Sequence, residues 1–544
     1  MKRIVSIILS IVLIFGVAAC TAGCGGSGGG AGEANVDATF PLKDPVTLKL
    51  MVVGTEDGTF KTDLANNSLY KRLKEETNVD IDFQFLGTDY QTKLTLLINS
   101  GQYGDAILGG PVLNYISASR YIASGIFKDL TPYINETVTP NIYNILQARP
   151  EAYGMISGAD GKIYTLPYKT AEGDCGIESP MWMNKKWLDK LGLSVPKTID
   201  EFTAVLKAFR DKDPNGNGVQ DEIPYLVSTA REYYSLEAIY GSFGIACKDG
   251  TLDGFLQVVD GKVRFCPITD AWKEAVEYQA MLYDESLMWN ECFTASSSTG
   301  LSKLTSETCV VGCFTSNTVP ISPNRKDYIC IDPPKADGHE VVWYTNPSTV
   351  ASKDRFYVTN KCRYTEILLK WVDKLYTYDS AFEAVYGSQA DGRWYVDENG
   401  KRVINDKLSS DELTKIDTEH PTMEDLISRF PTPLTLKDYQ ENIVDSNFDT
   451  IVTTETVYSK WKNKELWPRP YLTNDDAKTI YKLTTDIFYQ VSLYRANWIT
   501  GKTDINAEWD SYVKKLEDLG TDELVAAMQR AYDAYLVNVE NSTK

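Results

Sequence analysis

Basic side chains and histidine are scarce in this chain. Its 544 residues carry 55 Lys and Arg against 75 Asp and Glu, a formal charge of −20. A field of that sign repels phosphate backbones and anionic headgroups, which excludes nucleic acid as a partner. The only histidines, His339 and His420, sit in polar stretches. No His-Glu-x-x-His occurs, and no Gly-x-Ser-x-Gly elbow stands between a strand and a helix, so metallopeptidase and serine-hydrolase chemistry lack their residues. The 10 cysteines form neither a Cys-x-x-Cys pair nor a Cys/His cluster, which removes zinc sites of the finger kind. Those after Cys24 read as buried free thiols, one or two disulfides being the alternative, and Cys309 and Cys313 share a face of an expected strand. There is no internal repeat, and no low-complexity segment outside a glycine-rich stretch near the start.

The first residues address the chain for export. Lys2 and Arg3 precede an apolar run from Ile4 to Ala19, the length of a signal h-region and too short to span a bilayer. Val17-Ala18-Ala19-Cys20 is similar to a bacterial lipobox, which makes residues 1–20 a signal peptide and Cys20 the lipidated residue, with Cys24 a poorer candidate. Residues 21–40, rich in glycine, form a flexible tether with a root-mean-square reach of about 25 Å over roughly twenty residues. The expected location is the extracytoplasmic face of the bacterial cell membrane, held through the lipid anchor only.

The length predicts two or three folded units. From Val46 the pattern alternates: strand Val46 to Val53, helix Leu69 to Thr77, strand Val79 to Leu86, a helix ending at Gly101, then the short apolar strand Ala106-Ile107-Leu108. Strand, helix, strand at these intervals calls for a parallel or mixed sheet covered by helices. A second such run starts near Met181, and Thr198-Ile199-Asp200-Glu201 is a capping box ahead of Phe202, Val205, Leu206 and Phe209. The chain closes on helices, one with a stripe from Trp509 to Leu519 and a last one from about Asp522 to Leu536.

Between the capped helix and the strand Tyr225-Leu226-Val227 lies DKDPNGNGVQDEIP. Counted from Asp213, side-chain oxygens fall at positions 1, 3 and 5 (Asp213, Asn215, Asn217), glycine at 6 (Gly218) and a carboxylate at 9 (Asp221). Calcium takes six to eight oxygens at about 2.4 Å, and this spacing turns alternate side chains inward, with the Val219 carbonyl available at position 7. Position 12 is Pro224, which cannot ligate, so the bidentate role passes to Glu222. An Asx- and glycine-rich turn that binds nothing is the alternative, since the same residues are turn formers. Carboxylates gathered so tightly repel one another unless a cation is present.

Further segments accompany that loop in order: Leu96-Leu97-Ile98-Asn99-Ser100-Gly101 ahead of Asp105, Gly125 to Tyr133 (GIFKDLTPY), Gly161 to Pro167 (GKIYTLP) and Asn184 to Gly192 (NKKWLDKLG). Together they resemble the extracellular solute-binding lipoproteins of bacterial sugar ABC transporters, family 1, related to the calcium-containing alginate-binding proteins. The resemblance covers nearly the whole chain after the tether. Gln102-Tyr103-Gly104 departs from the family's Asp-Leu-Pro, so a different turn into the next strand is expected.

The resemblance implies an α/β, two-lobed periplasmic-binding-protein fold of type II, with mixed sheets flanked by helices and a helical C-terminus. It implies crossings near residues 170, 335 and 390, giving an N-terminal lobe of 41–170 plus 335–390 and a C-terminal lobe of 171–334 plus 391–544 with the calcium loop. The calcium ligands it implies are Asp213, Asn215, Asn217, Val219 (carbonyl), Asp221 and Glu222. The implied partners are a carbohydrate, above all an oligosaccharide, and the permease subunits of an ABC transporter; the chain is expected to act as a monomer and not as an enzyme.

A sugar site needs aromatic platforms and planar polar partners, and 11 Trp, 33 Tyr and 18 Phe permit one. The ligand-binding candidates are aromatics at strand ends near the expected hinge: Tyr90, Tyr168, Trp182, Phe314, Trp343 and Tyr344. A calcium-stabilised extracellular glycosidase and an oligopeptide-binding protein are the competing readings; paired carboxylates could serve the first, but no local motif marks them.

Overall fold

The structure, a computed structural model, describes residues 32–53, 67–87, 89–109, 113, 115–167, 176–229, 235–248, 252–317, 319, 322–346, 353–426, 434, 436–445 and 449–543. The signal segment, Cys20 and Tyr168 lie outside the described residues.

The first sheet begins with β1 (Val46–Val53), β2 (Val79–Phe85) and β3 (Ala106–Gly109). β1 pairs in parallel with both neighbours, Val46 opposite Val79 and Leu50 opposite Ala106. Leu48, Leu50, Met51 and Val52 are all buried, as befits a parallel sheet covered on both faces. Helix Ser68–Thr77 starts where the Asn67 side chain accepts from the Tyr70 N–H at 2.8 Å and ends at Asn78, whose φ of 56° is left-handed.

The second lobe is built on β4 (Met181–Asn184) and β5 (Ile223–Leu226), the hairpin β6 (Leu256–Val259) and β7 (Lys262–Phe265), and β8 (Val311–Thr315) and β9 (Tyr328–Cys330). Its main sheet runs β5-β8-β4-β9, with β4 antiparallel to both neighbours and β5 parallel to β8. Helix Ile199–Asp211 buries Phe202, Val205, Leu206 and Phe209 and is capped by Thr198, which accepts from the Glu201 N–H. The Glu201 carboxylate accepts from the Lys197 N–H at 2.7 Å, one residue outside the predicted box.

The crossings fall elsewhere than predicted. Bridges Thr198 to Lys335 and Trp343 to Lys462, with the Val342 N–H donating to the Gly241 carbonyl at 3.0 Å, hold residues 335–345 to the second lobe. The return to the first sheet therefore comes between Asn346 and β10 (Phe356–Val358), which is antiparallel to β3. Ahead of it in the chain, Thr345 forms an antiparallel bridge with Ile177.

A small third sheet, β11 (Trp394–Val396), β12 (Arg402–Ile404) and β13 (Ile443–Val444), stands on the first lobe rather than the second. Trp394 packs edge-on against Phe382 at 5.0 Å in helix Tyr378–Tyr386, whose Glu383 pairs with Arg72 of helix Ser68–Thr77. The bounds read from the resemblance place residues 391–445 with the other lobe because these strands are only two or three residues long, so no periodicity says which core they cover.

The C-terminus is helical, through Asn474–Ile499, Ile505–Asp518 and Thr521–Asn541. It braces both lobes. Gly154 of the first lobe lies so close that a Cβ there would come within 2.5 Å of Val539, while Gln529 accepts from the Val263 N–H of β7 at 2.8 Å. Inside this joint Glu237 and Arg495 form an ion pair with side chains 2% exposed. The described cysteines are free thiols, and among the described residues no helix is long and apolar enough to cross a membrane.

Candidate ligand cleft and cation loop

Beside the Ile177 to Thr345 bridge, the Trp343 indole N–H donates to the Glu178 carbonyl at 2.9 Å and the Glu178 N–H donates to the Tyr344 carbonyl at 3.2 Å. The Glu178 carboxylate receives the Lys248 ammonium and the Asn346 amide. Glu178, Ser179, Ser235, Lys248, Trp343 and Tyr344 line a cavity of about 10 Å³ here, room for one water. The chemistry is that of a polar hinge floor beside two aromatic rings.

The predicted platforms are brought together only in part. Trp343 and Tyr344 share this cavity. Trp343 is nevertheless buried, edge-on to Tyr458 at 5.1 Å, and offers its indole to Glu178 rather than to a ligand. Tyr344 is half-buried, and its hydroxyl accepts from Arg469 at 3.3 Å. Phe314 and Trp182 are core residues of the second lobe: Phe314 is 0% exposed and packs edge-on against Tyr328 at 5.0 Å, and the Trp182 indole donates to the Ser316 carbonyl at 2.8 Å. Their strands are covered on both faces, so a place near a strand end does not give either ring a free surface. Tyr90, at the start of helix Tyr90–Ser100, is buried with Leu94 and Ile98.

Behind the hinge lies a charged cluster that sequence reading missed. Asp354 Oδ1 accepts from the Tyr357 and Tyr471 hydroxyls, and the Lys353 ammonium donates to the Arg469 carbonyl and lies 3.8 Å from the centre of the Tyr471 ring. Asp354 and Arg469 have φ of 65° and 52°, conformations an L-residue rarely takes. Only the surrounding packing selects them, and no local motif signals it.

The acidic loop is a ring of turns around carboxylates. Asp213 accepts from the backbone N–H groups of Gly216, Asn217 and Gly218 at 2.8, 3.2 and 3.1 Å. Its own φ is 44°, and Gly216 and Gly218 are at 76°, the left-handed turns that the glycines permit. Asn215 and Asn217 turn their amide nitrogens onto Asp221. Lys190 donates to the carbonyls of Asp213 and Pro214, tying the loop to helix Lys185–Leu191.

Glu222 is different: both its carboxylate oxygens are buried and have no hydrogen-bond partner among the described residues. Burial first, then the charges of Asp221 and Asp213, push its carboxyl above the usual range. Among the described residues no group of three or more His, Cys, Asp or Glu side chains gathers as a metal cage. The donor set is instead mixed amide and carboxylate oxygen, and the orphaned Glu222 fits a hard, oxygen-seeking cation. Val219 is 57% exposed, and its side chain takes no part.

The described residues form two sheet-centred lobes, with the Ile177 to Thr345 bridge beside the passage from one to the other. The family model described as bacterial extracellular solute-binding protein matches residues 56–285. The chain is similar to that family over this span. It is 28% identical over 520 residues, 92% of each chain, to the fructooligosaccharide ABC transporter substrate-binding protein FusA of Streptococcus pneumoniae. Among solved structures it is similar to a solute-binding protein associated with an HMO-binding ABC transporter of Bifidobacterium longum infantis, with a TM-score of 0.77 at 25% identity over 91% of this chain and 99% of that one. An EF-hand mutant of S. pneumoniae FusA in complex with fructo-nystose superposes with a TM-score of 0.73 at 24% identity, covering 90% and 100% of the two chains.

Proposed function

We propose that this chain is the substrate-binding component of an oligosaccharide ABC transporter: it captures its ligand between the lobes and delivers it to a membrane permease, without chemical turnover. The observation that supports the reading is the antiparallel bridge of Ile177 and Thr345 beside the cavity lined by Glu178 and Tyr344. End-to-end similarity to a fructooligosaccharide-binding protein supports the ligand class.

Closure follows from differential contact. A ligand shifts the open and closed populations only by the free energy with which it prefers the closed one. A saccharide's apolar CH face suits an aromatic ring, and its hydroxyls suit carboxylate and amide partners. Tyr344, half-exposed at the hinge floor, and Tyr168, outside the described residues, are the aromatic contacts we assign. A few such contacts at about 1 kcal/mol each, with hydrogen bonds of similar net value, reach the roughly 8 kcal/mol of micromolar binding.

Calcium is assigned to the loop, held by Asp213, Asn215, Asn217, the Val219 carbonyl, Asp221 and Glu222; it supplies charge that neutralises the gathered carboxylates and braces helix Ile199–Asp211 against β5. Cys20 carries the lipid anchor that keeps the monomeric binding body at the extracytoplasmic face of the membrane.

The test is small-angle scattering and calorimetry on the chain with an oligosaccharide panel in calcium. A saccharide that contracts the particle, raises the melting temperature and is recovered uncleaved supports the reading. Release of new reducing ends, or a particle indifferent to every saccharide and responsive to peptides, overturns it.

A further inference from the structure

We infer that residues 33–42 are a strap that fastens the end of the lipid tether to the first lobe and sets which edge of the body faces the membrane. The sequence pattern runs the tether on to residue 40, but from Glu33 onward the segment lies along the folded chain. The Ala34 N–H donates to the Arg363 carbonyl at 2.7 Å, and Lys370 donates to the Ala38 carbonyl at 3.3 Å. Ala38 and Leu42 are buried in the first lobe's core, and the Leu42 N–H donates to the Thr77 carbonyl at 2.9 Å.

The fastening is a helix cap supplied from far along the chain. Helix Thr365–Asp373 begins after Tyr364, whose side chain makes no cap. The first N–H groups of a helix have no partner within it. Glu33 provides one: its Oε2 accepts from the Thr365 N–H at 3.2 Å, and its Oε1 from the Thr365 hydroxyl at 2.6 Å. The helix dipole also favours a carboxylate at this end. Lys128 completes the joint, its ammonium donating to Glu33, to the Cys362 carbonyl at 2.7 Å and to Thr365 Oγ1 at 2.9 Å. An exposed ion pair alone is worth little. Here all three ammonium donors are used, and the Lys128 side chain is 17% exposed.

The place of the joint matters because of reach. Thirteen Cα steps separate Cys20 from Glu33, and twenty-one separate it from Pro41. At roughly 3.4 Å per step the first span is at most about 45 Å and the second at most about 70 Å. A folded body of about 500 residues has a radius of gyration of roughly 24 Å, hence a diameter of about 60 Å. Held at Glu33, the body cannot turn this edge of the first lobe to the side away from the membrane. Held only at Pro41, it could. The orientation rests on the Cys20 anchor proposed above; the cap does not.

The experiment places the full lipidated chain on phosphatidylcholine vesicles that carry an acceptor dye at the headgroup. A donor dye sits on Arg363→Cys, exposed beside the strap, or on Lys303→Cys, exposed on the second lobe. Hydrogen exchange is measured on the same chain. The Ala34 and Thr365 amides are expected to be protected, and in Glu33→Ala to exchange about tenfold faster, the loss of roughly one hydrogen bond to a charged group. The ratio of energy transfer from position 363 to that from position 303 should fall in the same variant. Lys128→Met should act in the same direction; should it misfold, Glu33→Ala, which alters an exposed side chain, carries the test. Ala34 exchanging as free chain in the native protein, or a transfer ratio unmoved by Glu33→Ala, overturns the proposal. A chain that ignores vesicles yet keeps Ala34 protected refutes the Cys20 anchor, and the orientation with it, and leaves the cap standing.

Discussion

Asn217 turns its amide nitrogen onto Asp221, donating to both carboxylate oxygens at 3.1 Å, while its own amide oxygen accepts from the Val219 N–H at 2.7 Å. The loop thus satisfies itself with amide hydrogens where a cation would satisfy it with charge. Calcium is expected to stabilise the chain by mass action, by about 2.7 kcal/mol at a hundredfold excess over its dissociation constant. A melting curve in calcium should lie several degrees above one in chelator. Asp213→Ala, which removes the carboxylate that organises the turn, should erase the difference. Equal melting curves for the native chain in calcium and in chelator would disprove the assignment.

Glu222 adds a pH signature. Its carboxyl is pushed up by burial and by neighbouring acids, so in the absence of calcium the folded chain holds a proton there that the unfolded chain releases earlier. The sign follows: this contribution is present below the ordinary glutamate range and is lost as pH rises through the raised value. In chelator, stability should fall across that window, and Glu222→Gln should flatten the fall. With calcium bound the carboxylate is the favoured form and the trend should vanish. Denaturant midpoints against pH, with and without the ion, read all three outcomes.

Much of this molecule is legible before folding. β1, β2, β3 and helix Ser68–Thr77 appear within a residue or so of their periodic patterns, because local periodicity and the sheet they join agree. Helix Ile199–Asp211 is legible through its cap, and the oxygen spacing from Asp213 picks out a tight turn. What is not legible is which ring faces outward. Phe314 and Tyr344 look alike in sequence, yet one sits in a strand with both faces covered and the other between the bridged residues Trp343 and Thr345, half-buried. The third sheet escaped for a related reason: Trp394 and Phe382 meet across a fold, not along the chain. The orphaned oxygens of Glu222 become visible only in the folded chain, which buries them.

Tyr344 separates binding from stability. It is half-buried at the hinge floor and holds no core position, so Tyr344→Ala should weaken saccharide binding by roughly five- to tenfold, about 1 kcal/mol for an aromatic contact, with little change in melting temperature. Phe314→Ala should do the reverse and cost about 3 to 5 kcal/mol of stability through the cavity it leaves. Titration calorimetry and denaturation on the pair distinguish a platform from a core ring. Unchanged affinity in Tyr344→Ala would remove that residue from the site.

The Glu237 and Arg495 pair, with both side chains 2% exposed, joins the second lobe to helix Asn474–Ile499. Removing one partner leaves the other charge buried, so Arg495→Met should destabilise by about 3 to 5 kcal/mol. Adding Glu237→Leu removes the stranded carboxylate and should recover a large part of that loss, because a desolvated pair gains little over apolar packing. Urea denaturation of the single and double variants gives the coupling. A double variant as unstable as Arg495→Met alone would show that the pair's surroundings, not the uncompensated charge, set the cost.

Asp354 is the sharpest test of the hinge. It accepts from the Tyr357 and Tyr471 hydroxyls, both buried, and holds a left-handed φ of 65° at the return crossing. Asp354→Ala strips the shared acceptor from both hydroxyls and places an alanine in a conformation it resists, so a loss of about 3 kcal/mol is expected. Asp354→Asn keeps an acceptor and a residue that tolerates this φ, and should cost less than half as much. Asp354→Gly relieves the backbone and not the hydroxyls, so it should resemble alanine if the hydrogen bonds dominate and asparagine if the backbone does. Because the segment carries one of the two crossings, the ordering of these variants in stability should reappear in their saccharide affinity. An affinity that ignores the ordering would mean that closure is not transmitted through this crossing.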